Sequence, residues 1–514
     1  MRFLRFILAF GILIAITIFA LRLLFPLPDQ VDRIDSARIP ATAETKLGAA
    51  TLSAMASHPG KSGTSSLADG REAYAARVLL ARAAEQSIDL QYYIWQTDTT
   101  GWILLDEVRK AAERGVRVRL LLDDNGIPGL DEELSALNAL PNVEIRLFNP
   151  FTLRSPKLLS YLFDFPRLNR RMHNKSMTVD GAATVLGGRN IGNIYFDYGS
   201  GVHYFDADVL AIGPVVEDVS EDFDRYWASA SAYPAELILE NAPDGFASLT
   251  NNTEEAWASA FASEYIEVIK NTPLVQKIES GTLELEWGKV EFFSDDPAKG
   301  LGKADQDDLL LARVIEIAQP QKSFDLVSAY FIPGELGTDI LTEFSTDGIK
   351  TRTVTNALSA TDVPPVHSAY MKYRLALVEA GVEVLELRQQ AERPKERNLS
   401  SMIVGSASSL HAKTFAVDGE KIFVGSFNFD PRSAQLNTEM GVLIPSARMA
   451  QGLAAVLDEA SQFYRVQRSE GGDLVWTETA VDGREIILTE EPETGVVQRW
   501  IVWFISWLPV EWML

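Results

Sequence analysis

Two stretches of the chain repeat one polar pattern in register. The first holds His173, Lys175, Asp180 and Gly181, then Gly187-Gly188 and Asn190; the second holds His411, Lys413, Asp418 and Gly419, then Gly425-Ser426 and Asn428. In both, lysine follows histidine by 2 positions, aspartate by 7 and asparagine by 17. On a strand, residues i and i+2 share a face, so each imidazole has an ammonium beside it. Asp-Gly is a hairpin signal, and the returning stretch is about as long as the outgoing one, which brings each asparagine back toward its own histidine. The glycines allow close approach of backbone or ligand.

Such a constellation suits phosphodiester chemistry. Lys175, Lys413, Asn190 and Asn428 can hold the anionic oxygens as charge builds in the transition state. With ordinary imidazole titration, one histidine is neutral and attacks phosphorus while the other donates a proton to the leaving alkoxide. The product is a covalent phosphohistidine and a two-step exchange. A metal is disfavoured, because two lysines share the pocket and no tight carboxylate ligand set accompanies the histidines. No cofactor is implied. Asp180 and Asp418 have a turn role as well as a place in the pattern, and Asp206 and Glu439, downstream of the cassettes, are expected to orient a histidine through its second ring nitrogen.

The elements around the cassettes are duplicated. Ser87-Ile88-Asp89-Leu90 corresponds to Ser323-Phe324-Asp325-Leu326, Gly115–Arg119 to Gly348–Arg352, and Asn142–Arg146 to Gly381–Leu385. Strands alternating with helices imply α/β halves. The chain therefore reads as an anchor over 1–28, a linker over 29–70, a first half over 71–235, an inter-half linker over 236–300, a second half over 301–470 and a C-terminal extension over 471–514.

Both ends are suited to a membrane. An apolar run from Phe3 to Phe25, with arginines near its ends, is long enough to cross a bilayer as a helix, and the bulky residues after it lack a small-x-small cleavage signal. Arg2 and Arg5 favour a cytoplasmic N-terminus and an exported body. Trp500, Trp503, Trp507 and Trp512 crowd the last 15 residues, the first three at helical spacing, and tryptophan favours the interface.

These stretches, with IDLQYYIW, GVRVRLLLDDNG, FDFPRLNRRMHNKSMTVDG and GSFNFDPRS, resemble the phospholipase D superfamily and, within it, the type C branch of bacterial cardiolipin synthases. The resemblance implies two pseudo-symmetric α/β sandwich halves around one active site. It implies a phosphatidyltransferase that makes cardiolipin from phosphatidylglycerol and a second phospholipid, phosphatidylglycerol or phosphatidylethanolamine. It assigns His173 as nucleophile and His411 as acid and then base, although the symmetry of the cassettes leaves the reverse equally workable. The implied setting is a bacterial inner membrane, with an extracytoplasmic body and no identified accessory protein. A hydrolytic phospholipase D, a membrane-tethered nuclease and an inactive lipid-binding scaffold are the alternatives.

The composition bears on these. With 47 Lys+Arg against 71 Asp+Glu the net charge is −24, which disfavours nucleic acid as partner. Residues 151–175 run against this balance, with six basic residues and one acidic, interleaved with leucine and aromatics. Arg167, Arg170 and Arg171 are therefore expected to receive an anionic head group, and Tyr370 and Arg374, with His367 at helical spacing, to contact substrate. There is no cysteine, so thiolate chemistry and disulfides are excluded.

Overall fold

The computed structural model describes residues 2–199, 203–280, 282–389, 409–480 and 483–514. Each half is built on a mixed sheet whose six central strands follow one order. In the first half that order is Asp208–Ile212, Ala183–Gly187, Ser176–Val179, Ser87–Tyr92, Arg117–Asp123 and Val143–Phe148; in the second it is Met440–Ile444, Lys421–Gly425, Lys413–Val417, Ser323–Ser328, Lys350–Asn356 and Glu383–Leu387. The last three of each set are parallel, and the cassette hairpin joins them antiparallel. Each parallel pair buries an equivalent ion pair, Arg119–Asp89 and Arg352–Asp325.

The two sheets share a core. One apolar cluster joins Leu186, Val209 and Ala211 of the first to Val327, Ala416, Ile422 and Val424 of the second. Helices Gly70–Ala83 and Thr99–Glu113 cover the first sheet's other face through Tyr74, Leu80, Leu104 and Val108. A duplicated α/β fold with one N-terminal apolar helix, Arg2–Leu24, is the result.

Three expected boundaries differ. The linker over 29–70 is part of the first half: Arg146 binds Asp35, Arg119 donates to the Ser36 carbonyl, and Ser62–Leu67 pairs with Asp208–Ile212 and with Glu286–Gly288. Gly63 is a packing residue. A Cβ on Gly63 would stand 3.1 Å from the Trp287 ring. The linker over 236–300 forms helices Gly245–Ala258, Ala260–Lys270 and Pro273–Glu279, which bury Leu249, Ala256, Tyr265 and Leu274 in the first core. Its last two strands then close an edge of each sheet. Having no counterpart in the repeat, this crossover could not be placed by internal comparison. The extension over 471–514 begins as strands Leu474–Thr479 and Glu485–Leu488 of the second sheet.

Candidate active site

Both histidines enter their hairpins from a short parallel ladder made with the opposite half. Met172 bridges Thr438, and the His173 amide donates to the Thr438 carbonyl at 2.9 Å. In the same manner Ser409–Leu410 pairs with Tyr204–Phe205, and the His411 amide donates to the Phe205 carbonyl at 2.7 Å. The residue after each pairing partner therefore lies against the other half's imidazole. His173 Nδ1 donates to Glu439 at 2.9 Å, and His411 Nδ1 donates to Asp206 at 2.5 Å. A carboxylate on Nδ1 selects the tautomer that leaves Nε2 for the substrate. Glycine is required at 188, where a Cβ would come within 2.0 Å of Asp206 Oδ1. At the matching place in the second half, the Ser426 hydroxyl instead donates to Glu439.

The lysines are buried beside their histidines. Lys175 donates to the His173 carbonyl at 2.6 Å, and Lys413 to the His411 carbonyl. Burial brings the Lys175 ammonium down to about 7 and lowers Lys413. Burial and the two lysines push His173 well below its ordinary value, and burial and Lys413 lower His411. Burial raises the Glu439 carboxyl to about 7, whereas Lys413 and His411 hold Asp206 low despite its burial. Burial thus disfavours the charged lysines in the empty pocket, and an anionic phosphate beside them would favour their charged form. Asn190 accepts from the Ile94 amide and donates to the Tyr195 hydroxyl; Asn428 is buried at the end of the second hairpin.

Asp180 and Asp418 stand at the far ends of the hairpins, in left-handed conformation with φ of 51° and 56°. Asp180 accepts from the amides of Glu85, Gln86 and Ser87, and Asp418 from those of Gln321, Lys322 and Ser323. They lock a turn to the neighbouring strand's start, which gives both residues the turn role that the sequence allowed.

Most of the basic stretch before His173 is bound to internal partners. Arg171 is buried and paired with Asp123, Arg167 pairs with Asp164 and donates to the Pro150 carbonyl, and Arg170 donates to the Gln435 carbonyl. Arg154 and Lys157 both face Asp124 and Asp131. The counterions of Arg154, Lys157 and Arg171 lie upstream of the stretch, so the local count overstated the free positive charge. Tyr370 and Arg374 are buried in the second half: Tyr370 donates to Glu386, and Arg374 to Glu386 and Glu491, beside His367. That cluster has ligand types that suit a metal, but Arg374 already supplies its positive charge.

The structure adds residues that the spacing did not mark. Tyr93 lies edge-on to His173, with ring centroids 5.1 Å apart. Tyr204 stacks on His411 at 4.9 Å and Tyr195 meets it edge-on at 5.3 Å. Lys299 and the Glu439 amide both donate to buried Asp295, so the carboxylate serving His173 is fixed from the crossover segment. An aromatic directly after a sheet strand, as in Gln91-Tyr92-Tyr93, was the available signal; Asp295 had none.

The family described as cardiolipin synthase, PLD-like domain, matches residues 79–227 and 314–460. Cardiolipin synthase C of Escherichia coli K12 is 43% identical over 473 residues, 91% of this chain and 100% of that protein. A cardiolipin synthase of Staphylococcus aureus is 26% identical over 75% of this chain and 64% of its own. A solved phosphatidylserine synthase of Haemophilus influenzae superposes with a TM-score of 0.55 at 16% identity, covering 90% of this chain and 100% of that one.

Proposed function

This chain belongs to the cardiolipin synthase family with its paired PLD-like domain, and from that premise we propose that it is a phosphatidyltransferase that makes cardiolipin through a phosphohistidine. The observation that carries the reading is the exchange of carboxylates between halves, Glu439 on His173 and Asp206 on His411. It equips two imidazoles alike at one pocket, as a nucleophile and an acid–base partner require.

In the first step Nε2 of His173 attacks the donor phosphorus, the bond to the head-group oxygen breaks, and His411 gives its Nε2 proton to the departing alkoxide. Lys175 and Lys413 hold the phosphoryl oxygens. In the second step a hydroxyl of phosphatidylglycerol loses its proton to His411 and attacks the same phosphorus, and the P–N bond breaks. Two inversions retain configuration. Burial of both imidazoles, at 7% and 5% exposure, supports an alcohol over bulk water as acceptor. The donor is phosphatidylglycerol or phosphatidylethanolamine. The Arg5–Leu24 helix supports a single span, with the body on the extracytoplasmic side of an inner membrane.

Purified protein supplied with labelled phosphatidylglycerol, with and without phosphatidylethanolamine, tests this. Diphosphatidyl product is expected, along with loss of activity and of the acid-labile phosphoprotein in His173→Ala. Phosphatidic acid as sole product, or a fully active His173→Ala, overturns it.

A further inference from the structure

Three apolar elements far apart in the sequence are tied together next to the catalytic pocket. The first is the Arg2–Leu24 helix, which over Arg5–Leu24 is long and apolar enough to cross a membrane and is not buried in the body. The second is the segment from Lys157 to Leu168, a 3-10 turn and a short helix broken at Asp164 and holding Pro166. It buries Phe163 and Leu168 but leaves Leu158 73%, Leu162 66% and Phe165 38% exposed. The third is the helix Val496–Ser506, which buries Val502 and exposes Trp500, Trp503 and Phe504, followed by Trp507 at 74% and Trp512 at 54%.

Specific contacts join them. Arg22 donates to the Phe163 carbonyl at 2.6 Å, and the Phe25 ring stacks on that of Phe163. Arg432 then ties the residue after the second element to the chain end beyond the third: its guanidinium donates to the side chain and carbonyl of Asn169 and to the Met513 carbonyl, while its amide donates to the Leu514 carbonyl. Arg432 is 4 residues beyond Asn428, and Asn169 is 4 residues before His173. A second thread runs from Tyr161 through Asn125 to Tyr93, whose ring meets that of His173. The 157–168 segment and the C-terminal residues are thus both tethered beside the histidine end of the hairpins.

We propose that the 157–165 segment and the tryptophan face of Val496–Ser506 form one bilayer-docking surface, seated in a single leaflet at the head-group boundary, with the catalytic cleft opening onto it. The occupant is the bilayer that the N-terminal helix enters, because that helix packs directly on the 157–168 segment. The residue types agree: leucine and phenylalanine suit the acyl margin, and tryptophan the interface. An apolar patch of this extent, left in water, is the kind that soluble monomers avoid. Arg154, Lys157, Arg167 and Arg171 are paired with carboxylates, so the docking proposed here is chiefly apolar in origin.

The proposal rests on the phosphatidyl-transfer reading for its purpose, and the test separates the two. The chain has no cysteine, so Leu162→Cys, Trp507→Cys and, as control, Lys322→Cys each give a single site for an environment-sensitive fluorophore. Lys322 is exposed at the opposite end of the second sheet from His411. With the full chain at one copy per phosphatidylglycerol nanodisc, probes at 162 and 507 are expected to be quenched by lipid carrying a nitroxide near its head group and protected from aqueous iodide, and the 322 probe the reverse. Iodide quenching at 162 or 507 equal to that at 322 overturns the surface, as does protection that appears only when two copies share a disc. In the second arm, Leu158→Glu/Leu162→Glu/Trp507→Glu is expected to lower turnover of long-chain lipid in bilayers by about tenfold or more, with water-soluble dihexanoyl phosphatidylglycerol turned over within about twofold of the parent. Equal losses on both substrates overturn the docking role. A parent that turns over neither lipid overturns the transfer reading instead, and the quenching still decides the surface.

Discussion

Glu439, from the second half, accepts the Nδ1 hydrogen of His173, from the first, at 2.9 Å. Asp206 repays the relation by holding His411. Neither half is equipped alone, since each histidine takes its tautomer from the other. The duplication is therefore functional at the level of single hydrogen bonds. Its origin is the pair of parallel ladders at Thr438 and Phe205, which fix where each carboxylate falls.

Replacing Glu439 by glutamine keeps the shape and removes the charge that stabilises the imidazolium. Glu439→Gln is expected to lower kcat by about 100-fold or more with KM within about threefold. Asp206→Asn should do the same through His411. Steady-state kinetics on phosphatidylglycerol in mixed micelles measure both, and a kcat within about twofold of the parent would show that the exchange is only structural.

Asp180 and Asp418 belong to the same motif and make the opposite prediction. Each satisfies three backbone amides at the end of a hairpin remote from the imidazoles. Asp180→Ala is expected to cost about 2–4 kcal/mol of stability while the folded fraction retains kcat within about threefold. Asp418→Asn keeps a side-chain acceptor and tolerance of the left-handed turn, so it should be nearly silent. Thermal unfolding and active-site-normalised rates, taken together, check this. Loss of rate without loss of stability would return these aspartates to the chemistry.

What could be read from the sequence divides along one physical line. Features set by local period, namely the His–Lys pair on one strand face, the Asp-Gly turn and the apolar N-terminal run, were legible because neighbours in sequence are neighbours in space. The repeat added the paired sheets. Features set by contact between halves were not legible: which histidine Glu439 serves, that Tyr204 stacks on His411, and that Asp295 anchors Glu439. The misreading of Arg171 has a related cause within one half, distance along the chain. Its partner Asp123 lies 48 residues upstream at the end of a strand, so a window over 151–175 counts the cation and omits its counterion.

Arg374 offers a clean check on that lesson. It joins Glu386 and Glu491 in a buried network, its guanidinium over the Tyr370 ring. Arg374→Met leaves two buried carboxylates without their cation and is expected to destabilise the protein by about 3–5 kcal/mol. In molecules that remain folded, KM for phosphatidylglycerol should be unchanged. Chemical denaturation alongside kinetics would show it, and a raised KM with undiminished stability would restore Arg374 to the head group.

Lys175 carries the clearest conflict between stability and function. Burial lowers its folded titration to about 7 from an ordinary 10.5. The unfolded chain therefore binds more protons than the folded one between about 7 and 10.5, and the slope of stability with pH from this group is positive across that window. Its destabilising effect is full below 7 and fades as the pH rises toward 10.5. Lys175→Met, close in length and without charge, is expected to abolish transfer while raising the melting temperature by about 2 °C or more at pH 6, with the gain shrinking by pH 9. Inorganic phosphate, by giving the ammonium an anionic partner, should raise the melting temperature of the parent and not that of the variant. Differential scanning fluorimetry over pH in detergent reads both effects. A Lys175→Met protein less stable than its parent at pH 6 would mean that the ammonium is already compensated by Glu439 in the empty pocket.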